Sequence, residues 1–539
     1  MTMKQISSFI LAGLMLVAVS CKETEFTERY PDPAKIAETS VEKQYTGIMY
    51  RNREWVLPGY GNYFVTLRTS INRYTQAVGW PFESGNYVPG SAGAQDLWFN
   101  YYHTLSQFRE MERVYATRPA AEQTDKRIFL VTAKIYLYDY TQRLVDIFGA
   151  IPFTEAGMLS ANNGDYAVSN AKFDSAESIY TLMLDDLKAI ATELNTIPAN
   201  PGFKNYQQAF KTADIVNKGS VDLWKRYCNS LRLRMLSRVS GAPDFKARAT
   251  AEMNEILTNT ANFPIVETNE QNIQMNVYDV NTDVNSKGFK DGIASGGGDW
   301  FGNTAGKKII DHMNTNADPR LPIIFEPGQK AKGVYAGIDP LATNAMQFTM
   351  YQDGLVSIYN RYTLSHNQFF PGVIINAAQV NLIKAEYYLN TGNDALAKTA
   401  YEAAISQSVK FYNGILAITN ATGISDATIP SPATDASITA YIAGKGVNWT
   451  AAGTPAAKLS LIATQKWLHF NLVQAYENWA EVRRMDVPTL QFQTDNANNQ
   501  TLPPVRWTYP GHEATYNPEN YASVRDTDKL TQRIFWDVK

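Results

Sequence analysis

The chain has 539 residues, of which 45% are hydrophobic and 19% charged, a composition that supports a large core and differs from that of a disordered chain. Its 49 basic and 52 acidic residues leave a formal net charge of -3 without a long run of one sign. This balance argues against the clustered basic face of a nucleic-acid-binding protein, so we expect no nucleic-acid partner.

Residues 1–20 have the features of a bacterial lipoprotein signal peptide. The apolar run over 9–19 is too short to span a hydrocarbon core of about 30 Å but suits the hydrophobic part of a signal peptide. It ends in Ala18-Val19-Ser20-Cys21, which resembles a lipobox, although alanine stands where leucine is usual. The alternative is an ordinary secretory signal followed by a chance cysteine. We favour lipidation of Cys21, because several acyl chains on one residue would hold the protein stably at a membrane.

Residues 21–33 are predicted to be a lipidated tether, and residues 34–539 a single globular domain with its first helix near Ala34. The tether is polar and contains two prolines. Its charged run Lys22-Glu23-Thr24-Glu25 resembles the signal that sends such lipoproteins to the cell surface. No later apolar run is long enough to span a membrane. We therefore expect a lipid-anchored protein of an outer membrane that faces the cell exterior and touches the membrane through its anchor only.

Aromatic side chains in loops are the candidates for ligand contact. Sugar capture requires exposed rings that stack on pyranose faces, with polar groups nearby to read hydroxyls. Such residues occur in two places, a Gly/Pro-rich turn with Trp80, Phe82, Asn86 and Tyr87, and a glycine-rich loop with Asp299, Trp300 and Phe301. Local packing is the alternative role for each ring. Trp98, Trp467 and Trp479 have helical apolar neighbours and are assigned to the core instead.

Apolar residues at helical spacing predict a mainly α-helical protein. The strongest periodicity covers 94–117, 121–147, 171–195, 219–240, 244–258, 373–390, 394–410 and 455–485. Residues 259–372 and 411–454 are rich in Gly, Asn, Thr and Pro and show little periodicity. Long loops in a compact domain are usually functional or disordered, and the aromatic content of these segments favours a ligand-binding face.

Residues 373–408 are predicted to form a helix hairpin. Gly392 suits a left-handed helix stop, and Asp394 could cap the next helix. Small residues and rings fall at the offsets of a tetratricopeptide repeat, namely Ala385, Tyr388, Ala397, Tyr401 and Ala404. A looser copy has Ala133, Tyr136, Ala176 and Tyr180. Packing is the expected role of all these residues.

The segment from Pro455 carries Thr464-Gln465-Lys466-Trp467-Leu468 and then Glu477-Asn478-Trp479-Ala480-Glu481-Val482-Arg483-Arg484. Further blocks follow the same order along the chain, namely Asn229–Arg234, Asp318–Leu321, Ala385-Glu386, and the C-terminal series Pro503, Pro504, Arg506, Tyr509, Pro510, Asn517, Asn520, Tyr521 and Trp536. Together with the lipobox, these residues resemble the SusD/RagB family of outer-membrane nutrient-binding lipoproteins, in its second, SusD-like branch.

The resemblance implies a single SusD-like domain with tetratricopeptide-like hairpins on one side and a long-loop ligand face on the other. It also implies a SusC-like TonB-dependent transporter as partner, on which the protein would sit as a lid. The matching blocks belong to the scaffold, so they do not name the nutrient. Many family members take glycans, whereas RagB-like members handle peptides, and both alternatives remain open.

The chain lacks the sequence motifs of catalysis. It has five histidines and no HExxH, Cys/His cluster, GxSxG or phosphate-binding loop, so we expect no metal, no cofactor and no catalytic residues. Two carboxylates from distant segments could still form a hydrolase site. The favoured hypothesis is a protein that binds an oligosaccharide or polysaccharide. A peptide-binding lipoprotein is the alternative, and a surface hydrolase is a third possibility.

Overall fold

The structure is a computed structural model that describes residues 39–81, 83–293, 299–427, 429–495 and 500–539. The predicted signal peptide, Cys21, the whole predicted tether and the predicted helix start near Ala34 lie outside these residues. The helices of two turns or more are α1 (Val41–Val56), α3 (Ser91–Ala116), α5 (Arg127–Phe148), α6 (Ala176–Thr196), α7 (Gln207–Ala213), α8 (Val221–Val239), α9 (Pro243–Thr258), α12 (Lys307–Thr315), α14 (Asn344–Gln352), α15 (Ala377–Asn390), α16 (Asp394–Ala417), α17 (Asp435–Ala443), α19 (Pro455–Phe470) and α20 (Ala475–Met485).

Shorter elements connect these helices. They are α2 (Ile71–Tyr74), α4 (Ala120–Asp125), α10 (Phe289–Ile293), α11 (Asp299–Gly302), α13 (Leu321–Ile324), α18 (Trp449–Ala452), α21 (Gly511–Tyr516) and α22 (Pro518–Tyr521), with π-helices at Gly61–Leu67 and Arg361–Ser365 and 3-10 turns at Ile197–Ala199, Pro201–Tyr206, Asn269–Gln271 and Arg525–Thr527. The prediction of a mainly α-helical protein is confirmed.

Six short strands pair antiparallel in twos among the described residues. They are β1 (Ile151–Pro152) with β2 (Phe173–Asp174), β3 (Ile273–Met275) with β6 (Gly372–Ile375), and β4 (Phe325–Glu326) with β5 (Ile358–Tyr359). The predicted helix over 373–390 is therefore too long at its start. Asn376 caps α15 by accepting a hydrogen bond from the Gln379 amide, and the apolar residues before it pair as β6 instead.

The buried hydrophobic residues form one large cluster and a smaller one around the two helices α15 and α16. α1 packs against α3, and α5 and α8 lie behind them. Trp98, Trp467 and Trp479 are buried, as expected of core residues. Cys228 is also buried and unpaired in α8, where burial raises the pKa of its thiol to about 12. The thiol therefore acts as a small apolar group rather than a reactive one.

α15 and α16 form the predicted hairpin. Gly392 has φ +81°, as expected for a left-handed stop. The predicted cap is wrong by one residue, because the Asn393 side chain accepts from the Leu396 amide. Asp394 instead accepts hydrogen bonds from Trp449 Nε1 at 3.1 Å and Lys458 Nζ at 2.6 Å. It therefore ties the hairpin to α18 and α19.

The predicted helix 455–485 is divided into α19 and α20. Asn471 has φ +44°, and its side chain accepts from the Tyr359 hydroxyl and the Leu472 amide. Asn478 Nδ2 donates to the Asn471 carbonyl at 3.0 Å. Because no Gly or Pro marks the position, the break comes from tertiary hydrogen bonds that periodicity does not reveal.

The two segments predicted as long loops contain more structure than expected. Residues 259–372 include α12 and α14, and α16 continues into the second segment as far as Ala417, with α17 after it. Among the described residues, no helix is both long and apolar enough to cross a membrane.

Candidate ligand-binding site

A close backbone approach joins the two loops that carry the candidate residues. The Gly79 amide donates to the Thr304 carbonyl at 3.0 Å, and Val78 forms an antiparallel bridge with Ala305. A Cβ on Gly79 would lie 2.2 Å from the Ala305 carbonyl oxygen, so this approach requires glycine. Trp80 therefore lies beside the segment that directly follows α11, the helix that contains Trp300.

Trp80 is half-buried beside two guanidinium groups. Arg68 Cζ lies 4.8 Å and Arg73 Cζ 4.4 Å from the centre of its ring, both within the range of a cation–π interaction. The two arginines come from the end of the first π-helix and from α2. Ring and guanidiniums thus hold one another in place, and any sugar that stacks on Trp80 must share its surface with them.

Trp80 and Asn86 line a cavity of about 50 Å³, together with Arg73, Tyr87, Pro340 and Phe492 among others. Asn86 Oδ1 accepts from Arg73 Nη1 at 2.8 Å, and the Asn86 amide donates to Asp495 at 3.0 Å. A neighbouring cavity of about 450 Å³ shares Gln76 and Pro340 with it. The two cavities are therefore adjacent, and we call the pair the groove, with the smaller cavity at Trp80 as its narrow end.

Tyr87 lines this cavity and is buried, so its ring is not exposed as the sequence suggested. Its hydroxyl donates to the Gln493 carbonyl at 2.6 Å, and its ring meets Phe492 edge-on at 5.9 Å. Burial raises the pKa of Tyr87 to about 12. Phe82 lies outside the described residues, as does the side chain of Phe301.

Trp300 stands in a second cluster. Its Nε1 donates to Asp426 Oδ2 at 3.3 Å, and Arg361 Cζ lies 4.9 Å from its ring centre. Arg361 in turn pairs with Glu326 at 2.9 Å and with Asp426 at 2.8 Å. Partial burial opposes ionisation of Asp426, but the hydrogen bond and charge of Arg361 outweigh it and hold the pKa of that carboxyl below its ordinary value. The ring is therefore held by a compensated ion-pair network.

Asp299, beside Trp300, is held by a histidine. Its Oδ2 lies 2.9 Å from His366 Nε2, which projects from the end of the second π-helix. α10 packs against both π-helices and against α11. This contact connects the Trp300 cluster with the π-helix that leads to Arg68. The structure thus brings the sequence-predicted residues it describes into two neighbouring clusters.

Sequence reasoning missed the aromatic residues that continue the Trp80 cluster outwards. Tyr60 and Phe64 stack with ring centres 4.8 Å apart and planes 11° from parallel, and Arg68 Cζ lies 4.1 Å over Phe64. Tyr60 is 50% exposed. We call Tyr60, Phe64, Arg68, Trp80 and Arg73 the aromatic–arginine ladder. The i, i+4 spacing of the two rings after Pro58-Gly59 was the available signal, but a seven-residue π-helix leaves no periodic pattern.

The described residues contain no group of three or more His, Cys, Asp or Glu side chains placed to hold a metal ion. What the clusters offer is ring faces, amides, carboxylates and guanidiniums. These groups suit the binding of a polar ligand with apolar faces.

Comparison with known proteins agrees with this architecture. The family model SusD-like_2, described as starch-binding and associating with the outer membrane, matches residues 65–510. Comparison with curated proteins gave no match.

Solved structures share the fold over nearly the whole chain. A chitin-binding protein matches with 22% identity, 92% of this chain, 100% of its own and a TM-score of 0.70. A chitin-binding SusD homologue from Flavobacterium johnsoniae has 21% identity, 93% and 99% coverage and a TM-score of 0.69. A SusD homologue from Bacteroides fragilis has 18% identity, 93% and 100% coverage and a TM-score of 0.69. The single mainly α domain predicted from sequence is confirmed, and the chain belongs to the SusD-like family.

Proposed function

We propose that the protein is a surface lipoprotein that binds a glycan on the aromatic–arginine ladder and passes it to a SusC-like TonB-dependent transporter in the outer membrane. The aromatic–arginine ladder is the observation that supports a glycan as the ligand. Its outer ring, Tyr60, is exposed and stacked on Phe64, while the inner ring, Trp80, stands at the narrow end of a groove. Such rings match the apolar faces of pyranoses.

The chitin-binding relatives support a glycan over other nutrients. We propose that the site binds the glycan and does not cleave it. The carboxylates around the candidate rings are tied to positive or polar partners, as Asp426 is to Arg361 and Asp299 is to His366. A peptide remains the alternative ligand.

A ligand screen tests this proposal directly. The full chain in detergent is titrated calorimetrically with neutral and acidic oligosaccharides and with unstructured peptides. We expect binding of at least one glycan and of no peptide. Peptide binding without glycan binding would replace the proposal with the alternative, and release of reducing sugar by pure protein would replace it with a hydrolase.

Ring substitutions then locate the site. We expect Tyr60→Ala, Trp80→Ala and Trp300→Ala each to weaken glycan affinity by about tenfold, because each stacked ring contributes roughly 1 kcal/mol or more. Tyr166, which is 74% exposed, supplies a matched control. Unchanged affinity in all three ring variants would remove the ladder and the Trp300 cluster from the site.

A further inference from the structure

Arg68 differs from the other buried arginines in the described part of the chain. Eight arginines have less than a tenth of their surface exposed. Seven of them donate hydrogen bonds from their side chains, namely Arg232, Arg234, Arg238, Arg320, Arg361, Arg483 and Arg506. Arg68 is 5% exposed, and its Nε and Nη1 are buried without a hydrogen-bond partner among the described residues.

Arg73 adds a second positive charge next to Arg68. Its hydrogen-bond acceptor is the neutral amide of Asn86, and its Nε is buried without a partner in the described residues. No ion pair within 4.0 Å joins either arginine to a carboxylate of the described chain. Glu83, an exposed residue, acts on Arg73 only at longer range. The internal residues outside the description, 82, 294–298, 428 and 496–499, include no Asp or Glu.

Both groups remain charged near neutral pH. Burial lowers the pKa of Arg73 to about 10 and that of Arg68 below its ordinary value. Cation–π contacts with Phe64 and Trp80 offset part of the cost of burial but do not neutralise the charge. A buried positive charge without an anionic partner is destabilising unless something else supplies the anion.

Two neighbouring features do not share the excess of positive charge found at Arg68 and Arg73. Around Trp300, Arg361 is matched by Glu326 and Asp426. The wider cavity of the groove carries two lysines and two aspartates, Lys307, Lys308, Asp311 and Asp339. Of these three described features, only the ladder has arginines without a carboxylate in direct contact, although Asp495 accepts from the backbone amide of Asn86 nearby.

We propose that the glycan bound by this protein is acidic and that its anionic group occupies the narrow end of the groove, beside Arg73 and within reach of the charge of Arg68. A carboxylate or a sulfate ester has the required chemistry, because a guanidinium forms charge-assisted hydrogen bonds with either group. The inference rests on the proposed glycan-binding function and deepens it. It separates this chain from relatives that bind the neutral polymer chitin.

Matched ligand pairs test the charge without changing the protein. The full chain in detergent is titrated with oligogalacturonate and its methyl ester, and with sulfated and unsulfated dextran oligosaccharides. We expect one acidic member to bind at least about tenfold more tightly than its neutral counterpart, with affinity that falls as salt is added. The pair that responds distinguishes a carboxylate from a sulfate. Equal affinities within both pairs would overturn the inference while leaving glycan binding intact.

Substitutions place the effect on the ladder. Arg68→Gln and Arg73→Gln should each reduce the preference for the acidic ligand by about tenfold, whereas affinity for the neutral counterpart changes little. Arg53→Gln is the control, because Arg53 stacks on the Tyr50 ring at 3.8 Å in a different cavity. A preference that survives both ladder substitutions, in variants with unchanged thermal unfolding, would overturn the inference. Absence of binding to every glycan would instead overturn the proposed function.

Discussion

Lys466 Nζ lies 2.6 Å from Glu386 Oε2, and this ion pair joins α19 to α15, the first helix of the hairpin. The same ammonium lies 2.7 Å from Glu481, and Arg484 binds both carboxylates at 2.6–2.7 Å. All four side chains are at most 10% exposed. Two buried carboxylates and two buried basic groups therefore connect three helices. Each charge is neutralised by the opposite charges of the other residues.

Lys466→Met should destabilise the protein by about 3 kcal/mol. Methionine fills most of the volume of lysine, but it leaves Glu386 and Glu481 with one fewer positive partner in a buried position. Chemical denaturation measures the change. Arg113→Met is the control, because Arg113 pairs with Glu110 at the surface and its loss should cost no more than about 1 kcal/mol. Equal effects of the two substitutions would contradict a structural role for the buried network.

The same network predicts acid sensitivity. Burial opposes ionisation of Glu386, but the charges of Arg484 and Lys466 outweigh it and lower its pKa from 4.5 to about 2. Because the folded pKa lies below the unfolded one, the stabilisation is complete above pH of about 5 and is lost as pH falls towards about 2. The free energy of unfolding, measured at several pH values between these limits, should fall less steeply with decreasing pH in Glu386→Gln than in the original chain. A variant with the same slope as the original chain would exclude Glu386 as a source of the dependence.

Gly79→Ala should loosen the site and lower stability by roughly 2 kcal/mol, since the new methyl group would overlap the Ala305 carbonyl and force the two loops apart. Glycan affinity should fall together with stability, because Trp80 is the next residue in the chain and would move with the displaced loop. Gly414 in α16 has no atom near the position of a Cβ, so Gly414→Ala should stabilise the protein by up to about 1 kcal/mol without affecting affinity. Thermal unfolding and calorimetric binding measure both, and a Gly79→Ala variant with normal affinity would contradict the close approach.

The sequence predicted most of the helical scaffold, because periodic apolar faces and glycine stops act locally. α8 and α9 are found within a few residues of their predicted bounds, and the α15–α16 hairpin turns at the predicted Gly392, whereas α5 begins later and α16 ends later than predicted. The break at Asn471 and the strand at 372–375 depend on partners far away in the chain, so local pattern does not reveal them. The sequence predicted only part of the candidate site for the same reason. Single loop tryptophans are visible in sequence, whereas the stacking of Arg68 between Phe64 and Trp80 exists only after folding.

Cys21→Ser should release the protein from the membrane fraction into the soluble one. The reason is the lipobox-like sequence that ends at Cys21, because several acyl chains on this one residue would hold the protein stably at a membrane. Membrane fractionation followed by immunodetection measures the change, and Cys228→Ser is the matched control, since that thiol is buried in the core and should leave fractionation unaltered. Protease treatment of intact cells that produce the original chain should remove it if the body faces outwards, as the charged residues after Cys21 predict. Retention of Cys21→Ser in the membrane after a high-salt wash would show that another part of the chain holds it there.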